Sequence, residues 1–159
     1  MMIERISDVE YIKSCVTHPK LWKFLSDDGS GEPEKYVPPV SNSVYWLSPM
    51  EEGQRYGVFF LHPHNFVCYE VHTCLLPMIW GRTRECTKAA IDWVFNNTPC
   101  QRIITNVPDY NILALRLAED SGMVQFGINK KSYQKKGKLF DQIMLGINKE
   151  DYKCQQQFL

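Results

Sequence analysis

Two periodicities divide this chain, one helical and one alternating, and the switches between them mark its elements. MMIERI reads as a short first strand, after which Ser7 or Asp8 supplies a helix N-cap. Val9, Ile12 and Val16 follow at the i, i+3, i+7 spacing of one helix face. His18-Pro19 ends that helix, because a residue before proline avoids the helical region. LWKFL then adds a second short helix carrying Leu21, Trp22 and Phe24. DDGSGEPEKYVPPVSNS breaks the pattern; so long a connection inside a domain is a lid, a binding loop or a plain surface loop. From Val44 the pattern is extended: VYWLS, YGVFFLH and FVCYEVHTCLL, separated by EEGQR and PHN, form a meander.

Residues Asn65 to Phe95 organise the rest. They read as a buried strand (Phe66 to Leu76), a turn with one glycine, MIWGRTR, and an amphipathic helix from Thr83 to Phe95. A strand that feeds a helix through such a turn aims backbone N–H groups at whatever sits above it, a common way to hold a phosphate. Asn97-Thr98-Pro99 stops the helix, CQRIITNV is a strand, and PDYN leads into the helix ILALRLAEDSG, closed by Gly122. MVQFGINKKSYQ and KLFDQIMLGI form a closing hairpin around KKGK. The crossover from Phe66 to Val107 makes its two strands parallel. With antiparallel meanders on either side, the expected fold is one α/β (α+β) domain, a mixed, mostly antiparallel sheet of about seven strands flanked by helices. It spans residues 1–150, and 151–159 is a polar C-terminal tail.

Composition narrows the setting. The 159 residues suffice for one domain with a single core. Eighteen basic residues balance 18 acidic ones, so no overall field steers the molecule toward nucleic acid or anionic lipid. The dense lysines at Lys130, Lys131, Lys135, Lys136 and Lys138 flank a turn at Gly137 and read as a solvated hairpin tip rather than a phosphate patch. Six cysteines show neither C-x-x-C nor a zinc-type His spacing. They read as reduced thiols of a cytoplasmic protein, and no leader or membrane-length apolar run is visible.

Three pieces carry a family resemblance: LLPMIWGRTRECTKAAIDWVF, PDYNILALRLAEDSGM and KKSYQKKGKLFDQIMLGI. Together they resemble the GNAT superfamily of N-acetyltransferases. More narrowly, EVHTCLLP, FNNTPCQRIITNVP and GKLFDQIMLGI look like the short GNAT-like proteins of tailed phages, some described as head-assembly proteins. The resemblance implies acetyl-CoA lying where the fourth and fifth strands splay apart, here Phe66 to Leu76 and Cys100 to Val107. The pantetheine arm would pair with backbone at Cys74, Leu75 and Leu76. The pyrophosphate would sit on the loop holding Gly81, Arg82, Thr83 and Arg84. That loop departs from the family pattern of Gln or Arg, two residues, Gly, one residue, then Gly or Ala. One alignment puts Trp80, Thr83 and Glu85 at those places and another puts Met78, Gly81 and Thr83 there, as if two residues were missing. Glu85 would repel a phosphate by roughly 3 kcal/mol per charge at ~5 Å and an effective dielectric of ~20. Arg82 and Arg84 could offset this; alternatively Glu85 simply occupies the first turn of its helix.

Acyl transfer needs a base for the attacking ammonium, oxyanion donors and an acid for the thiolate. Glu70 and His72, two apart on a strand, share one face with Cys68 and Cys74. They are either a base pair or a buried polar pair satisfying its own hydrogen bonds. The family's Tyr acid falls at Ala118, leaving Tyr110 as the nearest replacement in sequence. Asn111 matches the family's Asn at the helix start and contacts pantetheine or merely N-caps. Trp80, a loop tryptophan, shields the cofactor or anchors a partner. The expected function is acetyl-CoA-dependent N-acetyl transfer to an amine-bearing small molecule or protein terminus. The alternative is a non-catalytic GNAT-fold protein of phage head assembly, host-cytoplasmic or virion-associated and partnered by phage structural proteins. A homodimer through an edge strand fits either.

Overall fold

In the computed structural model, which describes residues 1–156, eight strands form one sheet and five α-helices cover it. The strands are β1 Met2–Arg5, β2 Tyr45–Glu51, β3 Gln54–Arg55, β4 Gly57–Pro63, β5 Cys68–Leu75, β6 Arg102–Pro108, β7 Val124–Lys135 and β8 Lys138–Asn148. The helices are α1 Val9–Val16, α2 Pro19–Leu25, α3 Thr83–Asn97, α4 Ile112–Asp120 and α5 Lys149–Gln156. Strand order is β1-β2-β4-β5-β6-β8-β7, with β3 paired only to β2. The β5/β6 pair, joined by α3, is parallel, and every other pair is antiparallel.

Alternation along the strands assigns the two faces. Leu47, Phe59, Leu61, Tyr69 and Leu75 point to one side and pack with Ile91, Val94 and Phe95 of α3. Trp46, Val58 and Cys74 point to the other and pack with Ile12, Cys15 and Val16 of α1 and Leu21 of α2. Leu47 and Phe59 are fully buried, each contributing about 1.5–3 kcal/mol by leaving water. Local signals place the helices as the sequence suggests. Asp8 accepts from the Tyr11 N–H at 3.0 Å as the α1 N-cap, and His18 Nδ1 accepts from Lys20 N–H while Pro19 begins α2.

Four details differ from the sequence reading. EEGQR is not a plain turn: Glu52 and Gly53 both take positive φ, close a two-residue hairpin and add the short β3. The key strand starts at Cys68 rather than Phe66, because the Asn65 carboxamide accepts from the Val67 and Cys68 N–H groups and closes the turn before it. The segment expected as a polar tail is helical from Lys149 to Gln156. Its Tyr152 is buried against Phe95 with ring centroids 5.7 Å apart; residues 157–159 lie outside the described residues. The hairpin tip is tied down rather than freely solvated. The Lys136 and Gly137 N–H groups donate to the Asp28 carboxylate at 2.6 and 2.8 Å, and Lys135 Nζ donates to the Lys23 and Ser26 carbonyls. The long loop after α2 is thus strapped to the β7–β8 hairpin.

Candidate functional site

Strands β5 and β6 pair only from Cys68 to Glu70, opposite Arg102 to Ile104, although both run on to Leu75 and Pro108. Beyond Glu70 they splay, as expected for the fourth and fifth strands of the sequence reading. Thr105 Oγ1 reaches across the opening to the Val71 carbonyl at 3.1 Å. The Val67 carbonyl also faces β6, where it accepts from the Gln101 and Arg102 N–H groups. Peptide groups alternate along a strand, so those of Thr73 and Leu75 face the opening as well. The Leu75 carbonyl is taken by Trp80 Nε1 at 3.0 Å, which folds the 46%-exposed indole back along the strand.

A cavity of about 270 Å³ runs through this opening. Phe24 and Leu25 of α2 line it on one face, and Ala90 and Ile91 of α3 on the other; Glu70, His72, Thr73, Asn111 and Tyr133 give it polar edges. A mostly apolar chamber with a few converging polar groups is the usual form of a small-molecule site.

The polar end is assembled by the β4/β5 register, which sets His62 opposite Glu70 and Phe60 opposite His72. Glu70 is 8% exposed. Its Oε2 meets His64 Nε2 at 2.7 Å and His62 Nε2 at 3.6 Å; its Oε1 accepts from Asn106 Nδ2 at 3.0 Å and lies 3.6 Å from His72 Nε2. His62 and His72 approach Nε2 to Nε2 at 3.3 Å, and their rings stack at 5.4 Å. The hydrogen bonds of this pair go to other residues, Glu70 to His64 and Asn106 and His72 to His62, and both side chains border the cavity. Burial pushes the Glu70 carboxyl up, but the Asn106 and His64 hydrogen bonds, with His72 and His62 beside it, outweigh burial and leave it below the usual carboxylate range. Burial lowers the His72 imidazole, Glu70 opposes this, and the neighbouring His62 and His64 add to the lowering. The ring is surrounded by protein while its edge opens onto the cavity. Near neutral pH the site therefore holds a carboxylate beside an uncharged imidazole.

His62, His64 and Asn106 were missed in the sequence. The only local signal was H-x-H at the end of a strand; His62 lies near the end of β4 and His64 in the turn after it, so the pairing with E-x-H on β5 depends on the register. The sequence holds no zinc-type spacing within one stretch, whereas the sheet gathers His62, His64 and Glu70 across two strands, with their donor atoms within 4.8 Å of one another.

Asn111 caps α4, accepting from the Ala114 N–H at 3.3 Å, and also lines the cavity, so neither of its alternatives excludes the other. Ala118 lines the same wall and leaves space where the family has a phenol. Tyr110 does not line the cavity; it is 37% exposed and packs edge-on against Phe140 at 4.6 Å. The phenol in the cavity is Tyr133, whose hydroxyl donates to the Ser26 carbonyl at 2.8 Å. Burial foremost, then neighbouring Tyr110, then Asp27 and Asp28 hold it above its ordinary range, so it is a neutral donor.

The phosphate-loop residues lie apart from this cluster. Pro77–Arg82 form a 3-10 turn leading directly into α3. Arg82 forms two hydrogen bonds to Glu51 (2.8 and 3.1 Å) and two to Glu85 (2.8 and 2.7 Å). Glu85 thus sits in the first turn of its helix, as one sequence alternative held, and Arg82 is committed to carboxylates. Arg84 is exposed and has no ion pair among the described residues. Thr83 is half-buried, and its carbonyl accepts from Thr87 Oγ1. The Cys74 side chain is enclosed beneath α1, with burial pushing its thiol up to about 12, and Leu75 packs beneath α3. Leu76 is half-buried against the α1–α2 cluster. Of their peptide groups only that of Leu75 faces the opening; by the same alternation those of Cys74 and Leu76 face β4, where the Leu76 N–H donates to the Tyr56 carbonyl at 2.9 Å.

No family model matches the sequence, and no curated protein matches it. Solved structures do. A mutant spermidine N-acetyltransferase from Vibrio cholerae superposes with a TM-score of 0.77 at 16% identity, covering 98% of this chain and 99% of that one. A spermidine N-acetyltransferase from Vibrio cholerae in complex with CoA and spermine gives 0.70 at 16% identity, over 96% and 97%. A GNAT-family acetyltransferase from Bacillus anthracis gives 0.59 at 22% identity, over 68% and 67%. The chain has the fold of these enzymes: a single α/β domain with an open mixed sheet.

Proposed function

We propose that the chain transfers an acetyl group from acetyl-CoA to an amine at the β5/β6 opening. The observation that carries this reading is a buried Glu70 beside His72 at the edge of a cavity between splayed strands; the directions of their pKa shifts agree with a carboxylate next to a neutral imidazole. An amine arrives as an ammonium with a pKa of about 10. Glu70, held charged, attracts and orients that cation. A carboxylate with a lowered pKa is a weak proton acceptor, so His72 is the better base. Loss of the proton frees the nitrogen lone pair for attack on the thioester carbonyl. Tyr133, neutral and inside the cavity, is the phenol placed to protonate the departing thiolate, in place of the Tyr110 expected from sequence.

Acetyl-CoA supplies the activated acyl group. Its pantetheine would pair with the peptide group of Thr73 and the N–H of Leu75, whose carbonyl Trp80 holds, and Asn111 would border it. Its pyrophosphate would meet the N-terminus of α3 at Gly81, where a Cβ would have no neighbour within 4 Å, and at Thr83 and Arg84. The substrate class is an amine-bearing small molecule or a protein terminus; spermidine and spermine, the amines named for the solved neighbours, are the first to test.

A second reading is a GNAT-fold phage head-assembly protein without turnover; Arg82, spent on Glu51 and Glu85 rather than left for a phosphate, weighs against cofactor binding and so leaves that reading room. Thermal unfolding with acetyl-CoA, in chelator, separates the two. At 100 times its dissociation constant the ligand stabilises a binding fold by about 2.7 kcal/mol. A saturable rise in Tm is expected. No rise at millimolar acetyl-CoA would overturn the enzymatic reading, and recovery of the protein in purified virions would then support the second.

A further inference from the structure

Glu70 is a buried carboxylate whose ion-pair partners, among the described residues, are histidines alone; no Lys or Arg reaches it. Buried acids are ordinarily paired with a cation. Instead three imidazoles surround this carboxylate, the His62 and His64 Nε2 atoms nearest Oε2 and the His72 Nε2 nearest Oε1. Separations among these donors are 2.7 Å (His64 to Glu70), 3.3 Å (His62 to His72) and 3.6 Å (His62 and His72 each to Glu70). Ligands about 2.0–2.1 Å from a tetrahedral zinc ion are about 3.3–3.4 Å apart. With the His62, His64 and Glu70 donors all within 4.8 Å of one another, modest side-chain movements bring these three around one ion, with His72 beside them.

The surroundings suit one. Asn106 Nδ2 holds Glu70 Oε1, leaving Oε2 for the ion, the role an outer hydrogen bond plays around metal ligands. The His62 ring is stacked between those of His64 (5.2 Å) and His72 (5.4 Å), which limits its rotation. The His64 N–H bonds to the Cys68 carbonyl at 2.8 Å, turning the chain so that its side chain lies back over β5. His64 and His72 keep exposed edges, providing an entry path. We infer that His62, His64 and Glu70, with His72 as a fourth donor, bind one divalent transition-metal ion of the zinc class. The donors are imidazole nitrogen and carboxylate oxygen without thiolate, a set that suits zinc and its first-row neighbours over calcium or magnesium. Where the acyl-transfer reading holds, the ion and an ammonium compete for Glu70, so the metal-loaded form is the inactive one.

The test uses the full chain stripped with chelator, without acetyl-CoA or amine, so its outcome does not depend on acyl transfer. Titration with Co²⁺ is expected to give one equivalent of saturable binding with visible d–d absorption and no thiolate charge-transfer band; Zn²⁺ should displace it. His64→Gln and His62→Gln should each weaken binding by about 100-fold, at least the cost of disturbing an outer-shell partner. His18→Asn, which alters the one histidine outside the cluster and keeps a cap for α2, should leave binding unchanged. Circular dichroism in chelator checks that each variant is folded, and His64→Gln, at the more exposed position, carries the test should His62→Gln not fold. No saturable binding by the parent chain overturns the inference. So does undiminished binding in folded His64→Gln, or a thiolate band, which would place the ion on a cysteine.

Discussion

The two ends of the β5–α3 crossover are built in opposite ways. At Glu70, side chains from three strands converge on a group that is 8% exposed. At Pro77–Arg84, the turn is exposed and its chemistry is local: Arg82 clasps Glu85 three residues away and Glu51 on the neighbouring β2. The first end cannot be altered without disturbing a buried network, whereas the second tolerates change, and there the chain departs from the family's phosphate loop. On the proposed function, the chemistry belongs to the polar cluster and the turn before α3 would only adjust cofactor affinity.

The largest contrast is in catalysis. Glu70→Gln keeps the shape and one carbonyl acceptor but removes the charge that, on the proposed function, holds an ammonium. Turnover is expected to fall by about 10²–10³-fold, the usual range for losing one preorganised electrostatic contact, while Arg82→Ala changes the KM for acetyl-CoA and leaves kcat alone. Steady-state kinetics on both variants decides; equal kcat losses would erase the distinction.

Glycine gives the next contrast. Gly57 has φ +121°, and a Cβ there would lie 2.4 Å from the Cys74 carbonyl, so Gly57→Ala should cost roughly 1–3 kcal/mol from the backbone strain alone, read by urea unfolding. Gly81→Ala meets nothing and has no positive φ, so stability should be unchanged while acetyl-CoA binding weakens. A weaker fold in Gly81→Ala would show that the turn is structural rather than a ligand cradle.

Smaller still is the pH response. Glu70 and His72 both have lowered folded pKa values, so in each case the unfolded chain takes up protons first as pH falls. Their contribution is complete above the ordinary histidine range. It declines as pH drops through that range for His72, then through the carboxylate range and on past the lowered folded value for Glu70. In chelator, Glu70→Gln should flatten the acid limb of a Tm–pH curve. Glu85→Gln, at the exposed end, should leave that curve almost unchanged and modestly tighten acetyl-CoA binding by freeing Arg82.

How far the sequence could be read follows from the same division. Strand alternation and the helix caps are local, so the meander, the crossover and the closing hairpin were all legible, and the parallel pair followed from handedness. Half of the polar cluster was legible because Glu70 and His72 share one strand. His62 and His64 read as a strand end and a turn, since only the β4/β5 register sets them opposite that pair. Tyr133 was hidden for a similar reason. It sits on the closing hairpin, and the strap that joins its hydroxyl to Ser26 after α2 holds it at the cavity, where Tyr110 had looked nearer to the helix. Helix α5 escaped because its apolar content is little more than Tyr152, and burial against Phe95 rather than amphipathic pattern secures it.

Amine-dependent release of CoA from acetyl-CoA, measured in chelator for the parent chain and Glu70→Gln, tests the central claim most directly. The account predicts saturable release by the parent, and a Glu70→Gln variant that still gains Tm from acetyl-CoA but releases CoA at least about 100-fold more slowly. Equal release by the two proteins would contradict it.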